Sequence, residues 1–594
     1  MSGRGHGQVR RGQVITTYGP GALIDLPGHS AIVGGLDTWT KTSDLEVVEP
    51  RLARKIEFMT GVRAPRLYEP PPEPDHPWEP ARGIGAWIFP EWFVVQDEGR
   101  GEDRSRRLVQ RKALDEKGWF DGRRVVATRF VCACPNGHVD DLNWRRFVHG
   151  PEDNCLQQLW LDERGTSGDL ADLWARCECG KSRSLYEAKE IETTPLGTCR
   201  GMRPWLGRAA GEACHQPNRL LIRTASNAWF PQVVSVLSLP ERGAAVDGVV
   251  AELWEDLQIV ESASELAFVK KKPRVMDKLS AFADGEVLEA IRDRKSGKVE
   301  DRPLKHVELD ALLAAPEGFG DDVPVDPNFH ARRLPERAWR HSARADGIEA
   351  VIQVHRLREV AALIGFTRLE AVMPDVDGEY DTDVQRAKIA LDPAWFPAVE
   401  NRGEGLFIQL RASAISLWLD RDTVRRRIDS LTAGHRRWME TRKTHRAFPG
   451  GIYVLLHTIS HLVIQSLAMR CGYPASSIRE RVYSDSGAGR YGILLYTGSS
   501  DAEGTLGGLV QQARHLEDHL GQALAMAALC SNDPICAQHT PGESMEGRWL
   551  HGAACHGCAL IAETSCEMRN DYLDRALVVP VLGVPDAALF QAVP

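Results

Sequence analysis

The spacing of the cysteines constrains this chain more than any other feature. Toward its end the sequence reads Cys530-Ser-Asn-Asp-Pro-Ile-Cys536, then Cys555-His-Gly-Cys558, then Cys566. A Cys-x-x-Cys pair puts two thiolates on one tight knuckle, and further cysteines nearby close a tetrahedral zinc shell. Five thiols exceed what one Zn2+ takes. Cys536, Cys555, Cys558 and Cys566 form the preferred set, with Cys530 as the substitute because it follows an apolar helical stretch. Such a site is structural: the short loops leave no evident open coordination position, and the metal replaces a core that a small subdomain cannot build.

The chain has 594 residues and 13 cysteines, all but Cys471 lying between Cys132 and Cys214 or between Cys530 and Cys566. In a reducing compartment clustered thiols bind metal rather than each other. In the first cluster, Cys177-Glu-Cys179-Gly is a compact knuckle, and Cys199 with Cys214 supplies a second half, so Cys177, Cys179, Cys199 and Cys214 are expected to share a second structural Zn2+. Upstream, Cys132-Ala-Cys134-Pro-Asn-Gly-His138, with His149 and Cys155 beyond it, offers a rival or additional site. Cys134 and His138 are also able to complete the shell of Cys177 and Cys179, and Cys132 and Cys155 equally suit core thiols.

Two catalytic signatures fail on inspection. Gly180-Lys181-Ser182 ends like a phosphate-cradling loop, but Ala175 stands where the upstream glycine belongs. His457-Thr-Ile-Ser-His461 puts two histidines on one helical face, yet Thr458 stands where a zinc hydrolase carries its glutamate, so packing histidines are expected. No nucleotide-binding motif or nucleophile elbow is evident elsewhere, and the chain is expected to perform no chemistry alone.

With 43% hydrophobic residues the chain can bury several cores. A formal charge of −9 argues against a uniformly basic nucleic-acid coat and leaves room for local basic patches. No stretch reaches the ~18 uninterrupted apolar residues of a membrane span, and a cytoplasmic protein with no membrane partner is expected. The expected class is α+β multidomain, with a zinc-ribbon-like module in the N-terminal half and a mixed α/β C-terminal domain ending in a cysteine-rich zinc subdomain. Composition divides the chain into a β-rich region (1–125), a first cysteine-rich zinc module (126–232), an α+β middle region (233–400) and a C-terminal domain (401–594). Helical periodicity is expected in GEVLEAIRDR, in GIEAVIQVHRLREVAALIGF and across the apolar run GGIYVLLHTISHLVIQSLAMRCG.

Basic residues crowd one helical stretch: Arg425, Arg426, Arg427, Arg436, Arg437, Arg442 and Lys443, with Trp438 interleaved. Such a stretch can hold phosphates and stack a base, while the acidic neighbours Asp422, Asp429 and Glu440 suit a solvated face. Lys270, Lys271, Lys272 and Arg274, and Arg104, Arg106, Arg107, Arg111 and Lys112, form smaller patches.

Both ends of the chain resemble known families. HTISHLVIQSLAMRCGYPASSIRERVYS, YGILLYTGSSDAEGTLGGLV, CSNDPIC and GAACHGCALIAETSCEMRNDYLDR are similar to the zinc-binding domain that ends MrfA-type DNA-repair helicases. RRGQVITTYGPGALIDLPGHSAIVGGLDTW, CPNGHVDDLNWRRFVHG, CECGKSRSL and CRGMRPWLG resemble DrmB, the helicase-associated subunit of the bacterial DISARM anti-phage system. The resemblance implies a non-catalytic zinc-binding subunit that works beside a DrmA-like helicase and reaches DNA through that complex. Ser499, Asp501, Gly504 and Gly507 fit a tight turn before a helix, and that turn and the apolar helix beginning near Ile452 suit packing within the domain more readily than a docking surface for the helicase. The alternatives are a zinc-dependent DNA nuclease or hydrolase and a purely structural adaptor without DNA contact.

Overall fold

The computed structural model describes residues 9–591 apart from 27–28, 73–82, 97–103, 152–153, 166–168, 191–192, 208–209, 241–248, 251, 281, 297–302, 321, 325, 343–344, 381–384, 443, 473, 499–507 and 544–546. Lys443 and the turn Ser499–Gly507 therefore lie outside the described residues. The fold is α+β. The chain gathers into two units of non-consecutive segments: residues 1–236, 360–374 and 380–401 make the first, and 237–359, 375–379 and 402–594 the second.

In the first unit, antiparallel strands dominate. Ser182–Ser184, Leu173–Cys177, Leu159–Glu163, Ser105–Gln110, Trp92–Val95 and Val125–Ala127 lie side by side in that order. A separate three-stranded sheet places Phe130–Ala133 between Val139–Asp141 and Arg219–Ile222. Phe130, Trp144, Phe147, Leu159, Leu161 and Cys177 close one core around these strands. Trp144 and Phe147 come from a helix, Trp144–His149, whose N-terminus is capped by Asn143 accepting from Arg146 N–H at 3.1 Å. Fully burying side chains of this size contributes ~1.5–3 kcal/mol each.

The second unit is built on the helix Gly451–Cys471, in which Tyr453, Val454, Leu455, Leu456, Leu462 and Ile464 are all buried. Its apolar run ends at Gly472, whose left-handed φ of 71° lets its N–H reach Ala468 O. Length and a mean hydropathy of 1.5 would suit a membrane span, but 78% of that window is buried within the protein, which makes this the central core helix. The hairpin Ile478–Asp485 and Arg490–Thr497 lies against it, its turn held by Asp485 accepting from Ala488 N–H at 3.0 Å. The arginine-rich stretch is helical over Asp422–Arg442, and Asp284–Ser296 is helical as its period predicts.

GIEAVIQVHRLREVAALIGF departs from expectation. It forms a 20-residue strand, Ile348–Thr367, not a helix, and almost every residue along it is buried. A run buried on both faces has no polar side to mark period two, so its apolar residues fit a helical template equally well. Its β-branched Ile348, Val351, Ile352, Val354, Val360 and Ile364 favour the pleated conformation.

Candidate metal centres

Among the described residues, four groups of side chains bring metal-binding atoms within 4.8 Å of one another: Cys134, His138, Cys199 and Cys214; His149, Cys155, Cys177 and Cys179; Cys530, Cys536, Cys555 and Cys558; and His457, His461, Glu480 and Cys566. The first two lie in the first unit and the others in the second.

Sheet pairing assembles the first group. Strand Phe130–Ala133 runs into a turn ending at His138, and Ala133 faces both Val139 and Arg219. That register brings the segment before residue 219, with Cys199 and Cys214, over the Cys134 turn. Cys134 Sγ lies 3.9 Å from Cys214 Sγ, and His138 Nδ1 lies 3.3 Å from Cys134 Sγ and 3.6 Å from Cys199 Sγ. Tetrahedral zinc with Zn–S near 2.3 Å sets ligand atoms ~3.6–3.8 Å apart, which these separations match within a few tenths of an ångström. His138 Nε2 meets Glu212 Oε1 at 2.7 Å, the carboxylate support that fixes a metal-bound imidazole. Gly201 turns the Cys199 loop at φ 68° and donates its N–H to Cys199 Sγ at 3.3 Å; a Cβ there would stand 1.7 Å from Glu212 O, so only glycine fits.

The second group forms where the strand pair 159–163 and 173–177 begins and ends, since Leu159 faces Cys177. Cys155 Sγ lies 3.7 Å from Cys177 Sγ, and Cys179 Sγ lies 3.9 Å from Nδ1 of His149, the last residue of its helix. Arg145 fixes the Cys155 loop by donating to the carbonyls of Cys155, Leu156 and Gln157. Gly180-Lys181 is the knuckle's turn, closed by Cys177 N–H donating to Lys181 O at 2.8 Å.

The structure therefore regroups the cysteines of the first module. Cys177 and Cys179 do not join Cys199 and Cys214, nor do Cys134 and His138 complete their shell; Cys177 ends a strand of the six-stranded sheet and Cys179 follows it, whereas Cys134 and His138 lie in the turn between two strands of the three-stranded sheet. Cys132 stands in neither group, and its thiol, pushed up by burial, packs in the apolar core.

The third group closes on four thiols. Cys530 Sγ is 3.4 Å from Cys555 Sγ, and Cys558 Sγ is 3.7 Å from both Cys536 and Cys555. A thiol hydrogen bond from Cys558, aided by the Arg575 guanidinium and opposed by burial, draws Cys536 down to about 5, toward the thiolate that zinc requires. Cys530 is thus a full member and Cys566 is not. Helix Leu516–Ala527 stops three residues before Cys530, which frees that thiol to turn in, whereas Cys566 lies 3.1 Å from His457 Nε2 in the fourth group. The histidines of that group are not the plain packing residues their spacing suggested: both reach Glu480, which sequence reasoning missed because the carboxylate comes from a strand beyond the helix.

Of the basic residues, Arg425, Arg426, Arg436, Arg437 and Arg442 are exposed, Trp438 is half-buried against His435, and Arg427 is buried. Lys270 and Lys272 pair with Asp284 and Asp256, and Arg106 and Arg111 with Glu163 and Glu91, so the smaller patches are neutralised in part.

The comparisons agree with this chemistry. Residues 459–559 match the family model described as the MrfA Zn-binding domain, a span that contains Cys530, Cys536, Cys555 and Cys558. The metal of this thiol site is zinc. Residues 10–230 match a domain of unknown function, DUF8724, which takes in both groups of the first unit. The chain is 31% identical over 486 residues to the DISARM protein DrmB of Bacillus paralicheniformis, covering 79% of this chain and 83% of that protein. Similarity of that extent, with a zinc-binding cysteine tetrad in place at its C-terminal end, shows that the chain belongs to the DrmB family of DISARM proteins.

Proposed function

We propose that this chain is a non-catalytic, zinc-stabilised cytoplasmic subunit that associates with a DrmA-type helicase and helps it engage phage DNA in antiviral defence. The observation that carries the reading is its similarity to DrmB along most of both chains. Four protein ligands at each cysteine centre support a structural role for the metal over a hydrolytic one. Thirteen cysteines, none of them joined in a disulfide, suit a reducing compartment.

The helix Asp422–Arg442 is the DNA contact in this proposal. It buries Val424, Arg427, Leu431 and His435 and turns Arg425, Arg426, Arg436 and Arg437 outward. Residues 425 and 436, like 426 and 437, are about three helical turns and ~17 Å apart, so they share one face. Arg425 pairs with Asp422, but both are exposed, and such pairs contribute little enough to yield to a phosphate.

The test is charge reversal at Arg425, Arg426 and Arg437 in the assembled helicase complex. DNA affinity is expected to fall, and the dependence of log K on log salt to flatten by ~0.9 for each phosphate no longer neutralised. Unchanged affinity and slope would remove the DNA role of this helix. Failure of the unaltered chain to co-purify with a DrmA-type helicase would remove the partner.

A further inference from the structure

We propose that His457, His461, Glu480 and Cys566 form a metal centre of their own, separate from the four-cysteine zinc site, that takes a zinc-like divalent ion and ties the central helix, the hairpin and the C-terminal segment together. Only His461 and Glu480 fall within the stretch matched by the MrfA Zn-binding domain; His457 and Cys566 lie outside it.

The hydrogen bonds fix which atoms face the centre. His457 Nδ1 meets Tyr572 O at 3.3 Å and His461 Nδ1 meets Ala559 O at 2.8 Å. A carbonyl oxygen only accepts, so both Nδ1 atoms carry hydrogen, and in the neutral rings both Nε2 atoms present lone pairs. Those lone pairs converge on Glu480 Oε1, at 2.9 Å from His457 and 3.3 Å from His461, and His457 Nε2 stands 3.1 Å from Cys566 Sγ. Electron-rich atoms aimed at one point, with His457, His461 and Glu480 fully buried, repel one another unless a metal ion or a proton lies among them.

The surroundings are those of a ligand set. Backbone N–H groups of Met568 and Asn570 donate to Cys566 Sγ at 3.3 and 3.1 Å, as Gly201 N–H does to Cys199 and Asn532 N–H to Cys530 in the cysteine groups. Ser460 Oγ holds Glu480 Oε2, and Glu567 N–H donates to Oε1 at 3.2 Å. Two neutral imidazoles, one carboxylate and one thiolate carry two negative charges, which a divalent ion cancels, leaving a neutral centre in an apolar interior. Nitrogen, oxygen and sulfur together suit zinc. The rival occupants are protons, on an imidazolium donating to Glu480 Oε1 or on the Cys566 thiol donating to His457 Nε2.

Two measurements on the full-length chain decide between them. Anomalous scattering at the zinc edge from crystals of the unaltered chain is expected to show a peak amid these four side chains, besides the one amid the four cysteines. A peak at the cysteines with none here overturns the proposal; absence of both counts against both sites. Metal content should fall by one equivalent per chain in Cys566→Ser and in Glu480→Gln, and the thiolate-to-metal absorption of the cobalt-loaded four-cysteine site should persist. Folded variants that keep the full metal content also overturn it.

Discussion

Arg427 donates from Nε to Asp574 Oδ2 at 2.6 Å and from Nη2 to Oδ1 at 3.1 Å, and the two side chains are only 7% and 0% exposed. Asp574 accepts in addition from Ala553 N–H and Ala576 N–H, so the pair joins the arginine-rich helix to the segment that follows the zinc knuckles. One arginine of a basic cluster is therefore a structural residue, not a phosphate contact.

Removing one partner of such a pair leaves the other charge buried and uncompensated, at a cost of ~3–5 kcal/mol. Arg427→Ala should lower the urea midpoint accordingly. Arg426→Ala, at an exposed position one residue away, should stay within about 0.5 kcal/mol of the parent. Equal effects in equilibrium unfolding would contradict the burial of Arg427.

A second buried arginine supports the first metal group. Arg368 is 1% exposed and donates to the carbonyls of Gly137, Ala228 and Gly21, the first of these lying in the turn between Cys134 and His138. Its guanidinium lies over the rings of Trp205 and Phe366, and burial draws it down to about 9. Lysine cannot reproduce a planar fork to three acceptors. Each carbonyl left unpaired costs ~1–3 kcal/mol, so Arg368→Lys should destabilise the first unit and weaken metal retention by Cys134 and His138. Metal titration against a chelator, comparing variant and parent, measures it.

How much of this was legible in the sequence depends on how far apart the partners lie. Cys555-His-Gly-Cys558 announces itself because both thiols sit on one turn, and the helix over residues 451–471 because its apolar run is long and ends in glycine. The grouping of the first module was not legible, since Cys134 meets Cys214 only through strand pairings spanning about eighty residues, which local spacing does not encode. Cys566 was drawn to the knuckle beside it in sequence, while the side chains it meets come from a helix and strand a hundred residues earlier. The strand Ile348–Thr367 was hidden for a different reason: burial on both faces erased its period.

Acid should loosen the second unit through His519. This residue is 1% exposed, its Nε2 meets Gln512 Oε1 at 2.9 Å, and burial lowers its ring from 6.5 to about 4. The fold thus holds the neutral form, whereas the unfolded chain takes up a proton below about 6.5. More protons bind the unfolded state between those values, so this contribution is complete above pH ~6.5 and is lost as pH falls toward 4. His519→Gln should flatten the dependence of the urea midpoint on pH in that window. An unaltered slope would mean that another group carries it.

Paired serine substitutions distinguish the two groupings of the first module. In the structure Cys177 and Cys199 belong to different sites, and Cys134 and Cys199 to the same one. Cys134→Ser with Cys199→Ser should therefore release one metal equivalent, because both changes damage one shell. Cys177→Ser with Cys199→Ser should release two, because each change opens a separate shell that three remaining ligands hold far more weakly. If Cys177, Cys179, Cys199 and Cys214 shared one ion, the second pair would release only one. Mass-spectrometric metal analysis of the folded variants gives the answer directly, since the two arrangements differ by a whole ion per chain.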